Sequence, residues 1–232
     1  MEVTRLKNID IQAINSVEAV LAELRSLNKQ LVRSELEKLR TFNTAYYIVT
    51  AAIQDATATH RFVNPAFVEE FSVRFAIYYF QAINDFSSAS PHVAPVWEQA
   101  FAIDSHRPAF MSLLLGANAH INYDLPLALL DISDKGSKVG LLKDIVTIDK
   151  LLMKSGKQIL ATFDEPRRLP RFIKQRCRFL YFRPVMYMIL YWRIVAWHQY
   201  KSLESGGTNT MRFMRRSTKI ANRLSWLGAR LG

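Results

Sequence analysis

Apolar residues recur at intervals of three and four almost from end to end of this chain, and no stretch alternates apolar with polar residues as a half-buried strand does. That periodicity admits helices and little else. Gly and Pro, at 8 each in 232 residues, are too few for the turns of an all-β design, while a hydrophobic half supplies a sizeable core. The expected fold is all-α: a compact multi-helix bundle with a kinked central helix around Gly116–Leu129 and a basic C-terminal helix.

A first helix is predicted from Ser16 to Leu31, with Val17, Val20, Leu21, Leu24, Leu27 and Leu31 on one stripe. Ser34 and Glu37 read as a capping box opening a second helix to Ala56. Asn64 before Pro65 reads as an N-cap followed by proline at the first helical position, opening a third helix to Asn84. The Ser- and Pro-rich stretch from Asp85 to Pro95 reads as a loop, and Ala94 to Ala102 as a short helix carrying Trp97. Pro108 opens the next helix, and a loop with Gly136 and Gly140 precedes another from Leu141 to Leu160. The segment FDEPRRLPR then breaks the chain. The run PVMYMILYWRIVAW, Pro184 to Trp197, is the most hydrophobic; a membrane span needs about 20 apolar residues and tolerates a charge such as Arg193 poorly. It is read as a buried core helix from Pro184 to Leu203. The last helix is predicted from Met211 to Leu231. The domain is thus expected over residues 1–205, with 206–232 a basic amphipathic helix or tail.

The segment GANAHINYDLPLALLDI, Gly116 to Ile132, has the most unusual chemistry. Pro126 lacks the N–H that would bond to the Asn122 carbonyl, so a kink or break is expected there. His120 and Asp124 are four residues apart and share a helix face, as do Asn118 and Asn122. Around them lie Leu113, Leu114, Leu115, Ala117, Ala119, Ile121, Leu125 and Leu127, so polar groups here face the interior and need partners. The four are expected to form one connected, mostly buried cluster beside a cavity. A carboxylate one turn from an imidazole orients and charge-stabilises it as a catalytic base, or joins it in holding a single divalent metal with acids from another helix. His120 and Asp124 are therefore the candidate catalytic or metal-binding pair, and Asn118 and Asn122 the candidate ligand-binding residues. The alternative is a hydrogen-bond network that fixes helix register.

Three blocks, FVNPAFVEEFSVRFAIYYFQAIN (Phe62 to Asn84), VAPVWEQAF (Val93 to Phe101) and GANAHINYDLPLAL (Gly116 to Leu129), resemble the bacterial family known as domain of unknown function 5995. The resemblance spans roughly residues 40 to 200, and the order of the blocks makes it specific. It implies a compact helical domain centred on Asn118, His120, Asn122 and Asp124, and brings no reaction with it. The tail departs from the family's pattern in its density of basic residues. A distant likeness to zinc-dependent phospholipases C begins at His120 and Asp124-Leu125 but stops there, because the histidine expected beyond Pro126 is missing. With His60, His92, His106, His120 and His198 the only histidines, a trinuclear zinc site is not expected. No nucleophile elbow, phosphate-binding Gly loop, metalloprotease helix or dinucleotide fingerprint is present.

The net charge of +11 is concentrated in residues 161 to 232, which hold fifteen Lys or Arg against Asp164, Glu165 and Glu204. Such asymmetry marks a surface for anionic lipid or nucleic acid. In the last helix Phe213, Ile220, Leu224 and Leu227 form an apolar stripe, with Trp226 beside it. Arg212, Arg215, Arg216, Lys219 and Arg223 are the candidate contacts to an anionic surface. The opposing expectation is that the stripe packs back on the domain and the basic residues are only solvated. Cys177, the sole cysteine, excludes an internal disulfide and fits a reducing compartment; its basic neighbours would depress its pKa if it were exposed, but it is read as incidental. The first residues show no apolar signal region, which points to the cytoplasm, and the tail to the inner face of its membrane. Three functions follow: an enzyme or binder acting on an amphiphilic small molecule at His120 and Asp124, a peripheral membrane or interaction protein, and a nucleic-acid binder using the tail.

Overall fold

The leucine stripe of the first helix fixes where the bundle begins. In the computed structural model, which describes residues 6–102, 109–133, 140–162, 171–206 and 210–231, α1 (Val17–Gln30) starts at Ser16, whose hydroxyl accepts the Ala19 N–H at 3.1 Å. Its Val17, Val20, Leu21, Leu24 and Leu27 are buried, and it packs on α2 (Arg40–Ala58). Each such side chain contributes about 1.5–3 kcal/mol. One amide ties this corner together: buried Asn43 on α2 donates from Nδ2 to the Leu24 carbonyl at 2.8 Å and accepts from the Tyr79 hydroxyl at 3.2 Å. Tyr79 belongs to α3 (Pro65–Ser87), which opens as expected, with Asn64 Oδ1 accepting the Phe67 N–H at 3.1 Å. α4 (Pro95–Phe101) follows.

Three boundaries differ from expectation. Ser34 and Glu37 make no capping box: the Ser34 hydroxyl donates to the Leu31 carbonyl and accepts the Leu36 N–H, and a single 3₁₀ turn over Glu37–Leu39 leads into α2. That turn buries both Leu36 and Leu39, which outweighs a cap. The loop after α3 is shorter than expected, because the helix runs on to Ser87. The helix predicted to start at Pro184 starts instead at Arg171: α8 (Arg171–Glu204) carries Pro184 inside it. Pro184 is exposed, on the side where water can bond the carbonyl that lacks an N–H. Among the described side chains of α8 one face is core, with Met186, Ile189, Trp192, Ala196 and Tyr200 buried, while Tyr187, Tyr191 and Ile194 are exposed. Pro108, the break from Phe163 to Pro170, and the side chains of Cys177 and Leu227 lie outside what is described.

The kinked helix is the axis of the bundle. α5 (Ala109–Ala119) passes through one π-helical turn, His120–Asp124, into α6 (Leu125–Ser133). In the turn the Leu125 N–H reaches the His120 carbonyl, five residues back rather than four. α2, α4 and α9 (Thr210–Leu231) surround α5, and α3 and α8 cover α6. α7 (Leu141–Ala161) lies against α2 and α8. Its buried Asp144 accepts the N–H groups of Val63 and Asn64 at 2.7 and 2.8 Å, which holds the entry to α3. No described helix is long and apolar enough to cross a membrane, and no strand occurs among the described residues.

α9 runs close to its predicted span and lies on the body of the domain. Phe213, Ser217, Ala221 and Leu224 are buried in that contact, whereas Arg212, Arg215, Arg216, Lys219, Arg223 and Trp226 are exposed.

Gly116 lets α5 approach α2. A Cβ at this position would stand 2.5 Å from Phe42 Cγ. Gly116→Ala is therefore expected to destabilise the protein by about 1–3 kcal/mol through overpacking, despite alanine's higher helix propensity. Urea denaturation measures this, and a stabilised variant would contradict the close approach.

Candidate functional site

The four polar residues of the central helix are all buried, and the backbone sorts them into two pairs. Two residues of separation turn a side chain roughly halfway round a helix. Asn118 and Asn122 accordingly look toward α9, His120 and Asp124 toward α2, α3 and α4. No hydrogen bond joins the pairs among the described residues, so the single connected cluster expected from spacing is not what forms.

On the first side Asn122 Nδ2 donates to Asn118 Oδ1 at 3.0 Å, and Asn118 Nδ2 reaches the Ser217 carbonyl at 3.4 Å. The Ser217 hydroxyl donates to the Asn122 carbonyl at 2.8 Å. This is the carbonyl that Pro126 leaves without an N–H in α-helical register. Tyr123 stacks on Phe213 beside it, with centroids 5.5 Å apart. These groups dock α9.

On the second side His120 Nδ1 lies 2.9 Å from Asp124 Oδ2. The Trp97 indole N–H donates to both Asp124 oxygens, at 3.1 and 3.2 Å. The imidazole stacks flat on Phe75, with centroids 3.6 Å apart and planes at 11°. Tyr46 meets it edge-on at 4.4 Å, and Phe42, Tyr79 and Trp97 stand within 5.7–6.3 Å. The result is an aromatic wall around one buried ion-forming pair. His120 Nε2 is buried and has no partner among the described residues.

Such surroundings disfavour charge on either member. Burial, and then the charge of Arg193 on α8, hold His120 well below its ordinary 6.5. Burial pushes Asp124 well above its ordinary 3.8, with the Trp97 hydrogen bond opposing. Both shifts favour the uncharged forms, a protonated carboxyl beside a neutral imidazole; in that state the carboxyl proton is donated to Nδ1 and the imidazole's own proton sits at Nε2. Burial, and then the negative charge that Asp124 carries once ionised, raise the Tyr46 and Tyr123 phenols.

As metal ligands the pair is poorly disposed. Both Asp124 oxygens are engaged by Trp97 and one by His120, and no group of three or more His, Cys, Asp or Glu side chains gathers among the described residues. Arg193, foreseen only as an obstacle to a membrane span, is buried and gives its Nε–H to Asp149 of α7. Four of the wall residues lie at aromatic spacings of four, Phe42 with Tyr46 and Phe75 with Tyr79, but nothing local said that they meet His120. A surface groove of about 400 Å³ lined by Asn8, Asp10, Gln81 and Asp85, among others, shares no residue with the pair.

Residues 17–230 match the model of a family of unknown function, DUF5995, beyond both ends of the blocks that suggested it. No curated protein and no solved structure matches the chain.

The pair's protons make a testable signature. Asp124, raised, favours folding most at low pH and loses that contribution as pH rises; His120, lowered, does the reverse. Between about pH 4 and 6.5 the native pair and the unfolded chain each hold one proton, so the two slopes cancel. Above 6.5 the unfolded histidine gives up its proton and the native pair keeps its own, and stability falls. Below 4 the unfolded aspartate takes up a second proton that the native pair resists, and stability falls again. Urea denaturation from roughly pH 3 to 9 should show this plateau in the difference between the wild type and a His120→Gln/Asp124→Asn double variant. A difference that climbs steadily above pH 6.5 would contradict the neutral pair.

Proposed function

We propose that this chain, which belongs to the DUF5995 family, binds an amphiphilic small molecule at the aromatic wall, with His120 as its polar and proton-transferring contact. One observation carries the reading. His120 Nε2 is buried without a partner among the described residues while Asp124 holds the other ring nitrogen. An architectural pair gains nothing from that arrangement, since an unmet interior polar atom costs about 1–3 kcal/mol. A ligand's polar atom at Nε2 removes the cost, and its apolar body rests on rings such as Tyr46 and Phe75. Where the bound molecule is a substrate, His120 donates the Nε2 proton to it and Asp124 passes its own proton to Nδ1. Asp124 is then the group that restores the imidazole, and Asn118 and Asn122 serve the docking of α9.

Asp124→Asn separates chemistry from architecture. The amide oxygen still accepts from Trp97 and the amide nitrogen donates to Nδ1, so stability is expected to change by under about 1 kcal/mol. The proton reserve is gone, so any turnover is lost. Native mass spectrometry of the purified protein should recover a bound amphiphile from the wild type and none from His120→Phe. A loss of about 1–3 kcal/mol in Asp124→Asn, with no ligand recovered from the wild type, would assign the pair to architecture.

A second reading, attachment to an anionic membrane surface, is favoured by the exposure of Arg212, Arg215, Arg216, Lys219 and Arg223 along α9. Because Phe213 and Leu224 are buried on the domain, the attraction is electrostatic, about 1 kcal/mol per basic residue, and not an insertion of the apolar stripe. Vesicles containing anionic lipid should bind the wild type in low salt and lose it in high salt, and an Arg212→Glu/Arg215→Glu/Lys219→Glu variant should not bind. Binding to RNA or DNA without binding to vesicles would transfer the surface to nucleic acid.

A further inference from the structure

Resting on the reading of His120 as a ligand contact, we infer that the polar end of the ligand is an anionic oxygen group, a carboxylate or a phosphate, received jointly by His120 and Arg193. A second buried nitrogen motivates this. Arg193 is 6% exposed, on α8, which packs against both α6 and the turn that carries His120. Its Nε–H goes to Asp149, which is partly exposed, yet its Nη2 is buried with no partner among the described residues, as His120 Nε2 is. A guanidinium has donors only and is positively charged. In the tautomer whose Nδ1 accepts the Asp124 carboxyl proton, the imidazole likewise presents an N–H at Nε2.

Two buried donors on adjoining elements, one of them cationic, complement a negative acceptor. A neutral hydroxyl accepts from these donors but adds no charge to balance the guanidinium; an ammonium head accepts from neither. α8 packs on the turn that carries His120, and the charge of Arg193 adds to burial in lowering the His120 pKa. The aromatic wall beside them suits an apolar remainder, so the ligand class is an apolar acid or phosphate ester. Carboxylate and phosphate share this chemistry, and their relative affinity identifies the head group.

The test is calorimetric titration of the full chain with decanoate, decyl phosphate, decanol and decyltrimethylammonium, each kept monomeric. Both anions are expected to bind about tenfold or more tighter than decanol, the worth of one charged hydrogen bond, and the cation to bind weakest. The preference should survive a rise from about 0.15 to 0.5 M salt, because buried charges are little screened, whereas attraction to the exposed arginines of α9 would fade. Arg193→Gln combined with Asp149→Asn leaves no uncompensated charge and should bind decanoate no better than decanol. The wild-type preference decides the matter even if that variant does not fold. Equal binding of decanoate and decanol, lost in His120→Phe, would overturn the anionic head while sparing the His120 site. An anion preference abolished by salt, or no binding of any of the four, would overturn the inference.

Discussion

Because proline has no N–H, the helix that carries Asn122 into Pro126 needs another donor for a carbonyl at the centre of the bundle, and Ser217, 95 residues away, supplies it. Much of the architecture follows from that need. The π turn precedes the proline, and the Ser217 hydroxyl fills the polar notch at the Asn122 carbonyl. α9 meets the requirement by placing Ser217 and Ala221, both fully buried, between Phe213 and Leu224. The C-terminal helix is therefore part of the core as well as the bearer of the basic surface, and its two faces do different work: the inner one completes the backbone hydrogen bonding of the central helix, the outer one presents its cations to water.

On the opposite side of the same turn the balance is electrostatic. Aromatic rings exclude water from His120 and Asp124, and exclusion of water makes charge expensive on both. Burial raises Asp124 and lowers His120, so both shifts favour the uncharged forms, and the Trp97 indole N–H bonded to the carboxyl opposes the shift there. A histidine so placed is chemically quiet by itself and sensitive to any charge brought next to it. Arg193 already has that influence, from a helix far along the chain.

What the sequence made legible was local. The cap at Asn64, the leucine stripe of α1, and the proline within the central helix all announced themselves through neighbours a few residues away, and those elements form where expected. Ser34 and Glu37 offered an equally good local signal, yet burial of Leu36 and Leu39 overrode it. Pro184 misled in the same way, since a proline on the wet side of a long helix need not end it. The i, i+4 pairs were correct as pairs, but spacing says nothing of what each faces. That Trp97 would reach Asp124 and Ser217 would reach Asn122 depends on helices brought together only by the whole fold.

The π turn has a consequence for how this chain tolerates change. Five residues between repeating carbonyls instead of four amount to a one-residue insertion in a continuous helix, which rotates everything beyond it by about 100°. α5 shows its faces to α2, α4 and α9, and α6 shows its own to α3 and α8, because of that offset. Deleting a single residue such as Ile121 would return the rod to ordinary pitch, separate His120 from its carboxylate, and swing the buried face of α6 away from α3 and α8. Length within residues 120–124 is thus as strictly constrained as the identity of the side chains it holds.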